Sequence, residues 1–150
     1  MELVPILDGS ALLELPPETR STTEESPGRP TTYRYFPAGP AVYGASLELV
    51  DGPDPVSAAA GSLIAAYRRR EGYSRTSHQS PVIEGADEAA LLEFGWQDRN
   101  GVEMRSFAVV ASVGERVVVV HGTLPSIHGE TAAMAVRDTV LSLRLGELTR

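Results

Sequence analysis

The sequence predicts an α+β domain: an antiparallel β-sheet with one helix on each face, an α/β/α sandwich. Three observations predict it. Apolar alternation with period two recurs in segments joined by tight turns, Asp51-Gly52-Pro53-Asp54-Pro55 announces a helix, and a second helical stretch follows Leu124-Pro125-Ser126. Short connections force antiparallel neighbours, and a sheet with two apolar helix stripes buries both by taking one helix per face. The chain has 150 residues, 42% of them apolar, which suffices for one core. They read as a single domain over 1–150, with 16–31 as an exposed loop.

Each element has a local reason. Ala11-Leu12-Leu13-Glu14-Leu15 is a short strand closed by Pro16-Pro17, and residues 16–31 carry almost nothing apolar that could order them. A strand at Thr32–Phe36 and a Pro37-Ala38-Gly39-Pro40 turn follow. The strand Ala41–Val50 then places Tyr43, Ala45, Leu47 and Leu49 on one face. These strands read as a meander. Asp54 is placed to cap the next helix and Pro55 suits its first position. Val56, Ala59, Ala60, Leu63, Ile64 and Tyr67 recur at helical spacing, Arg68-Arg69-Arg70 favour the negative end of the dipole, and Gly72 supplies a left-handed terminus.

After a polar connection, Ala89–Gln97 alternates, with Ala90, Leu92, Phe94 and Trp96 in phase. Trp96, the one tryptophan, therefore reads as core. Asn100-Gly101 suits a tight hairpin, Val102–Ser112 is the return strand, Gly114-Glu115 a second turn, and Arg116–Thr123 a third strand. The last helix spans roughly Gly129–Leu143, with Ala133, Val136, Val140 and Leu143 facing inward.

Composition narrows the function. The net charge is −7, all thirteen basic residues are Arg, and there is no Lys or Cys. Absent Cys removes disulfides, thiolate metal sites and thiol nucleophiles; absent Lys removes a Walker A loop. The acidic balance argues against nucleic acid as a partner. Residues 1–60 hold nine acids and three Arg, while basic charge gathers at the end of the first helix. No stretch reaches the roughly 18–20 apolar residues of a membrane span. The start Met1-Glu2-Leu3-Val4-Pro5 has no basic n-region, so the expectation is a cytoplasmic protein, with a mature exported domain as the alternative. Arg without Lys, with abundant Ala, Gly and Pro, fits the codon usage of a GC-rich bacterium.

The polar residues match no catalytic or metal motif of recognised spacing. His121, His128 and Glu130 lack a recognised ligand spacing. Ser126, His121 or His128, and Asp138 make a triad on paper, but no Gly-x-Ser-x-Gly elbow supports it, and Ser126 reads better as a helix cap. His121 reads as a strand residue at the sheet end. The acid pairs Glu24-Glu25 and Asp87-Glu88 read as solvated surface, without calcium-loop spacing. No catalytic residue, metal ligand or cofactor is assigned. Two groups remain as binding candidates: Tyr67, Arg68, Arg69, Arg70, Tyr73 and Arg75 at the helix end, and Tyr33, Tyr35 and Tyr43, with Phe36, on the early strands. Arg beside aromatics is a common interface composition.

Leu13-Glu14-Leu15-Pro16, the helix after Asp54-Pro55, and Val117-Val118-Val119-Val120-His121-Gly122-Thr123-Leu124-Pro125 ahead of the final helix together carry a resemblance that covers essentially the whole chain. The order resembles the PsbP-like fold group, which includes the photosystem subunit PsbP, a Ran-binding nuclear-transport factor and actinobacterial LpqN-type proteins. The resemblance implies a small, mostly non-enzymatic accessory domain. Many bacterial members are exported or lipid-anchored, and this chain departs from them in lacking a signal and a lipobox Cys. No residue matches from which a photosystem or Ran role could be carried over.

The leading expectation is thus an accessory domain that binds a protein partner through the aromatic strands or the basic helix end. A carrier with a small-molecule pocket between sheet and helix, lined by Tyr33, Tyr35, Tyr43 and Trp96, is the alternative. A metal-dependent or hydrolytic enzyme using His121 and His128 comes last.

Overall fold

Alternating apolar strands and two one-sided helices assemble around a seven-stranded antiparallel sheet. The structure, a computed structural model, describes residues 2–146 apart from the Thr76 side chain; the expectation of one domain over 1–150 reaches beyond these. The elements are β1 (Glu2–Ile6), β2 (Ala11–Leu15), β3 (Arg20–Glu24), β4 (Thr32–Phe36), β5 (Val42–Leu49), α1 (Pro55–Arg68), β6 (Ser74–Gln79), β7 (Glu88–Gln97), β8 (Glu103–Val113), β9 (Arg116–Pro125), α2 (Gly129–Leu141) and β10 (Arg144–Leu145). The large sheet runs β3-β4-β5-β9-β8-β7-β6, and β1-β2-β10 form a second, three-stranded sheet.

The chain's own punctuation sets the turns and caps. The Asp54 carboxylate accepts from the Ser57 amide at 3.2 Å, with Pro55 in the first turn of α1. Asp98 Oδ1 accepts from the amides of Asn100 (2.8 Å) and Val102 (3.0 Å), and Gly101 at φ +78° closes the β7–β8 hairpin. The helices lie on opposite faces. Val56 and Ala59 of α1 pack on Ala90, Val110 and Val117, whereas Ala133, Val136 and Val140 of α2 pack on the other parity, with Phe107, Val109, Val118 and Val120. This is the α/β/α sandwich the sequence predicts. The second sheet shares the α2 face, contributing Leu13 and Leu15 to that core.

Four sequence expectations change. Ala11–Leu15 leaves the early meander and pairs with β1 and β10, because Ala11, Leu13 and Leu15 need a buried face that the large sheet's edge does not offer. Within the expected 16–31 loop, β3 pairs with β4 from Arg20↔Phe36 to Glu24↔Thr32. All five of its residues are exposed, so backbone pairing rather than burial orders it. The polar connection before β7 is likewise an edge strand, β6. Ser126 does not cap α2: Ser126–His128 form a 3-10 turn, and the helix begins at Gly129 with no side-chain cap.

Candidate functional site

The first candidate group converges at the C-terminal end of α1. Helical periodicity buries Tyr67 against the sheet, where its ring stacks on Phe94 at 4.3 Å with an interplanar angle of 7° and meets Trp96 edge-on at 6.3 Å. Tyr73, just past the helix, tilts against Phe94 at 6.2 Å. The chain turns at Gly72, whose φ of +67° suits glycine. Before that turn, the Arg70 amide donates to the Tyr67 carbonyl at 2.9 Å, which sets Arg70 over the rings: its guanidinium lies 4.5 Å from the Tyr67 centroid and 4.1 Å from that of Trp96. At an exposed arginine such cation–π contacts contribute about 0.5–1 kcal/mol. Arg68, Arg69 and Arg70 are all exposed, and Arg75 stands opposite Phe94 on the edge strand, also exposed.

Trp96 is not the core residue that the sequence predicts. It is half-buried, and its indole N–H donates to Ser106 Oγ at 2.9 Å; Ser106 Oγ in turn shares a 2.7 Å hydrogen bond with Thr123 Oγ1. Two residues back from Thr123, on the same face, stands His121. It is not at the sheet end, as the sequence suggests. It sits in the interior of β9, between Gly44 and Ala108. Its ring covers Gly44: a Cβ there would come 2.5 Å from Nε2. Nδ1 is shut off from solvent without a hydrogen-bond partner. Burial, reinforced by the Arg34 and Arg70 cations, pushes the imidazole pKa from 6.5 down to about 4, so the ring is neutral at neutral pH. Arg34 itself is held by Glu24 at 2.9 and 3.3 Å. Among the described residues no carboxylate pairs with Arg70.

The second candidate group is elsewhere. Tyr33, Tyr35 and Tyr43 point to the α2 face, across the sheet from Trp96, so the expected pocket lined by all four does not form. They secure a turn and a helix instead. Tyr33 donates to Asp8 Oδ2 at 2.6 Å, a bond that pushes its pKa up to about 12, and the Tyr35 hydroxyl accepts from the Leu7 amide at 3.3 Å. Those bonds hold Leu7 and Asp8 at positive φ, 54° and 55°. Tyr43 packs against Gly122, where a Cβ would come within 2.7 Å of Tyr43 Cε1 and 2.6 Å of Val136 Cγ1. The cavity beside Tyr43 and α2 holds about 210 Å³, below the roughly 300–1,000 Å³ of most small-molecule sites.

A larger concavity, about 460 Å³, opens where Glu93, Gln97 and Arg105 meet Glu130 at the start of α2. Its one cation is engaged: Arg105 donates to Glu93 and Glu130, each at 2.7 Å, while Glu103 adds a third carboxylate to the lining. The triad assembled on paper with His121 is divided by the sheet, since His121 lies on the α1 face and Asp138 on α2; with His128, which precedes α2, no hydrogen bond joins Ser126, His128 and Asp138 among the described residues. Among the described residues no three His, Asp or Glu side chains gather closely enough to hold a metal ion.

Comparison with known proteins places the architecture. No family model matches the chain, and no curated protein matches it. Solved structures do. Cyanobacterial PsbP from Synechocystis sp. PCC 6803 aligns with a TM-score of 0.69 at 9% identity, over 97% of this chain and 92% of that one. LpqN, involved in cell envelope biogenesis of Mycobacterium tuberculosis, aligns with a TM-score of 0.62 at 15% identity, over 90% of this chain and 82% of its own. A Pseudomonas aeruginosa protein of unknown function, PA94, gives 0.52 at 21%, over 91% and 94%. The chain has a PsbP-like α+β fold. Among the described residues no helix is long and apolar enough to cross a membrane.

Proposed function

We propose that this domain is a non-enzymatic accessory module that binds a protein partner on the face formed by the end of α1, with Arg68, Arg69 and Arg70 as its cationic contacts. One observation carries the reading: Arg70 is held between two aromatic rings while no carboxylate pairs with it among the described residues. A guanidinium packed this way has already lost much of its side-chain freedom, so binding through it costs less entropy than ordering a loose arginine. The overall charge of −7 sets the patch apart and favours an acidic partner surface there. The fold shared with PsbP and with LpqN, which is involved in cell envelope biogenesis, supports an accessory role.

A photo-crosslinking residue at position 69, introduced in the native cell, tests the face. The crosslinked protein is then purified and its complex rebuilt with the wild-type domain. Specific capture at position 69, lost with Arg70→Glu and absent from a probe at Ala132 on α2, is the expected result. Capture from Ala132 alone would move the interface to the opposite face.

A further inference from the structure

Among the described residues four strands form the edges of the two sheets, and three of them are guarded against pairing with another chain. β1 carries Pro5, which has no amide to donate. β10 has only two residues. β6 shifts its register between Arg75 and Ser77, which interrupts a regular ladder. β3 has none of these protections. Its five residues, Arg20-Ser21-Thr22-Thr23-Glu24, keep unbroken register with β4, and all five are exposed. Alternate residues of such an edge turn their amides and carbonyls outward, unpaired within the sheet. Among the described residues no carboxylate pairs with Arg20, and the Glu24 side chain stays 60% exposed even with Arg34 upon it.

We infer that β3 pairs antiparallel with β3 of a second copy of this chain, about a two-fold axis at Thr22, joining the two large sheets edge to edge. The charge pattern selects this occupant. An antiparallel register centred on Thr22 sets Arg20 opposite Glu24 of the second copy, Ser21 opposite Thr23, and Thr22 opposite Thr22. Both ends of the pair then carry opposite charges, and the middle carries facing hydroxyls. A parallel copy would instead set Arg20 on Arg20 and Glu24 on Glu24, so the same two charges reject that arrangement. Glu24 can hold a second guanidinium beside Arg34, since an ionised carboxylate offers about four lone-pair sites. The contact is short against the roughly 1,000 Å² of a stable interface, so the dimer is reversible, with a Kd between about 1 μM and 1 mM. α1 packs on β7, β8 and β9, away from this edge, so each copy keeps its own Arg68–Arg70 run uncovered.

Sedimentation equilibrium of the intact domain, loaded from about 10 μM to about 1 mM, reads the association. Wild type is expected to show a reversible monomer–dimer equilibrium, with amide exchange slowing within residues 20–24 as concentration rises. Arg20→Glu and Glu24→Arg, each alone, place like charges opposite one another at both ends of the pair and weaken the dimer about tenfold or more. Mixed one to one, the two variants restore opposite charges at both ends, so the mixture associates about as tightly as wild type. Arg69→Glu, at the end of α1, leaves the Kd within about twofold. A wild type that stays monomeric throughout this range would overturn the proposal. So would a Kd unchanged in Arg20→Glu, or a mixture no tighter than either variant alone. A dimer lost in Arg69→Glu but kept in Arg20→Glu would move self-association to the end of α1 and refute pairing through β3.

Discussion

Acidification should destabilise the fold through one residue, His121. Its native pKa, lowered from 6.5 to about 4 by burial and by Arg34 and Arg70, means that the unfolded chain takes up a proton below about pH 6.5 that the native state refuses until about pH 4. Stability from this site is therefore fully present above pH about 6.5 and is lost as pH falls toward 4. At about 1.4 kcal/mol per unit, and allowing for partial exposure of the ring, the loss by pH about 4.5 is about 2 kcal/mol. Urea unfolding of wild type and His121→Phe at both ends of this window isolates the effect, because carboxylates that weaken in acid are common to both proteins. Phe keeps a ring over Gly44 and cannot titrate. The wild type should lose about 2 kcal/mol more than the variant on acidification. Equal losses in the two proteins would refute a buried, neutral His121.

Two further substitutions test the packing. Gly122→Ala should lower stability by about 2 kcal/mol or more through overpacking, since its new methyl would press on Val136 and Tyr43; an unchanged denaturation midpoint would contradict the close approach of α2 to β9. Asp54→Ala should cost about 1 kcal/mol by leaving the Ser57 amide without its cap, while Asp54→Asn or Asp54→Ser retains most of the stability, as thermal melts would show.

What the sequence reveals depends on whether a residue's role leaves a periodic or turn signal. The cap at Asp54, the inward face of α2 and the Asn100-Gly101 hairpin are local, and the structure places them where the pattern does. β3 and β6 are edge strands rich in Ser, Thr, Arg and His, with no apolar alternation to betray them. Their order comes from backbone pairing with β4 and β7. The second sheet joins residues 2–6, 11–15 and 144–145, a pairing that no short window reveals. At the site, the Arg68–Arg70 run and Tyr67 are visible from spacing alone. That Arg70, rather than its neighbours, lies on Trp96 depends on Tyr67 packing beside Trp96 across the sheet, a tertiary contact. Alternation groups Tyr33, Tyr35 and Tyr43, but it does not reveal that their face is the one packed on the Leu7–Asp8 turn and α2. His121 is in phase with Val117 and Val119, a placement consistent with burial that says nothing of its orphaned nitrogen.

The central claim is that the domain binds through the end of α1, and the affinity of the rebuilt complex tests it most directly. Measured by calorimetry, Arg70→Glu should weaken binding by about tenfold or more, since it reverses the charge of a guanidinium oriented on two rings. Arg144→Glu, which alters a charge on β10 remote from α1, should leave the affinity within about twofold, the usual scale of an exposed charge change. Wild-type affinity in Arg70→Glu would contradict the account.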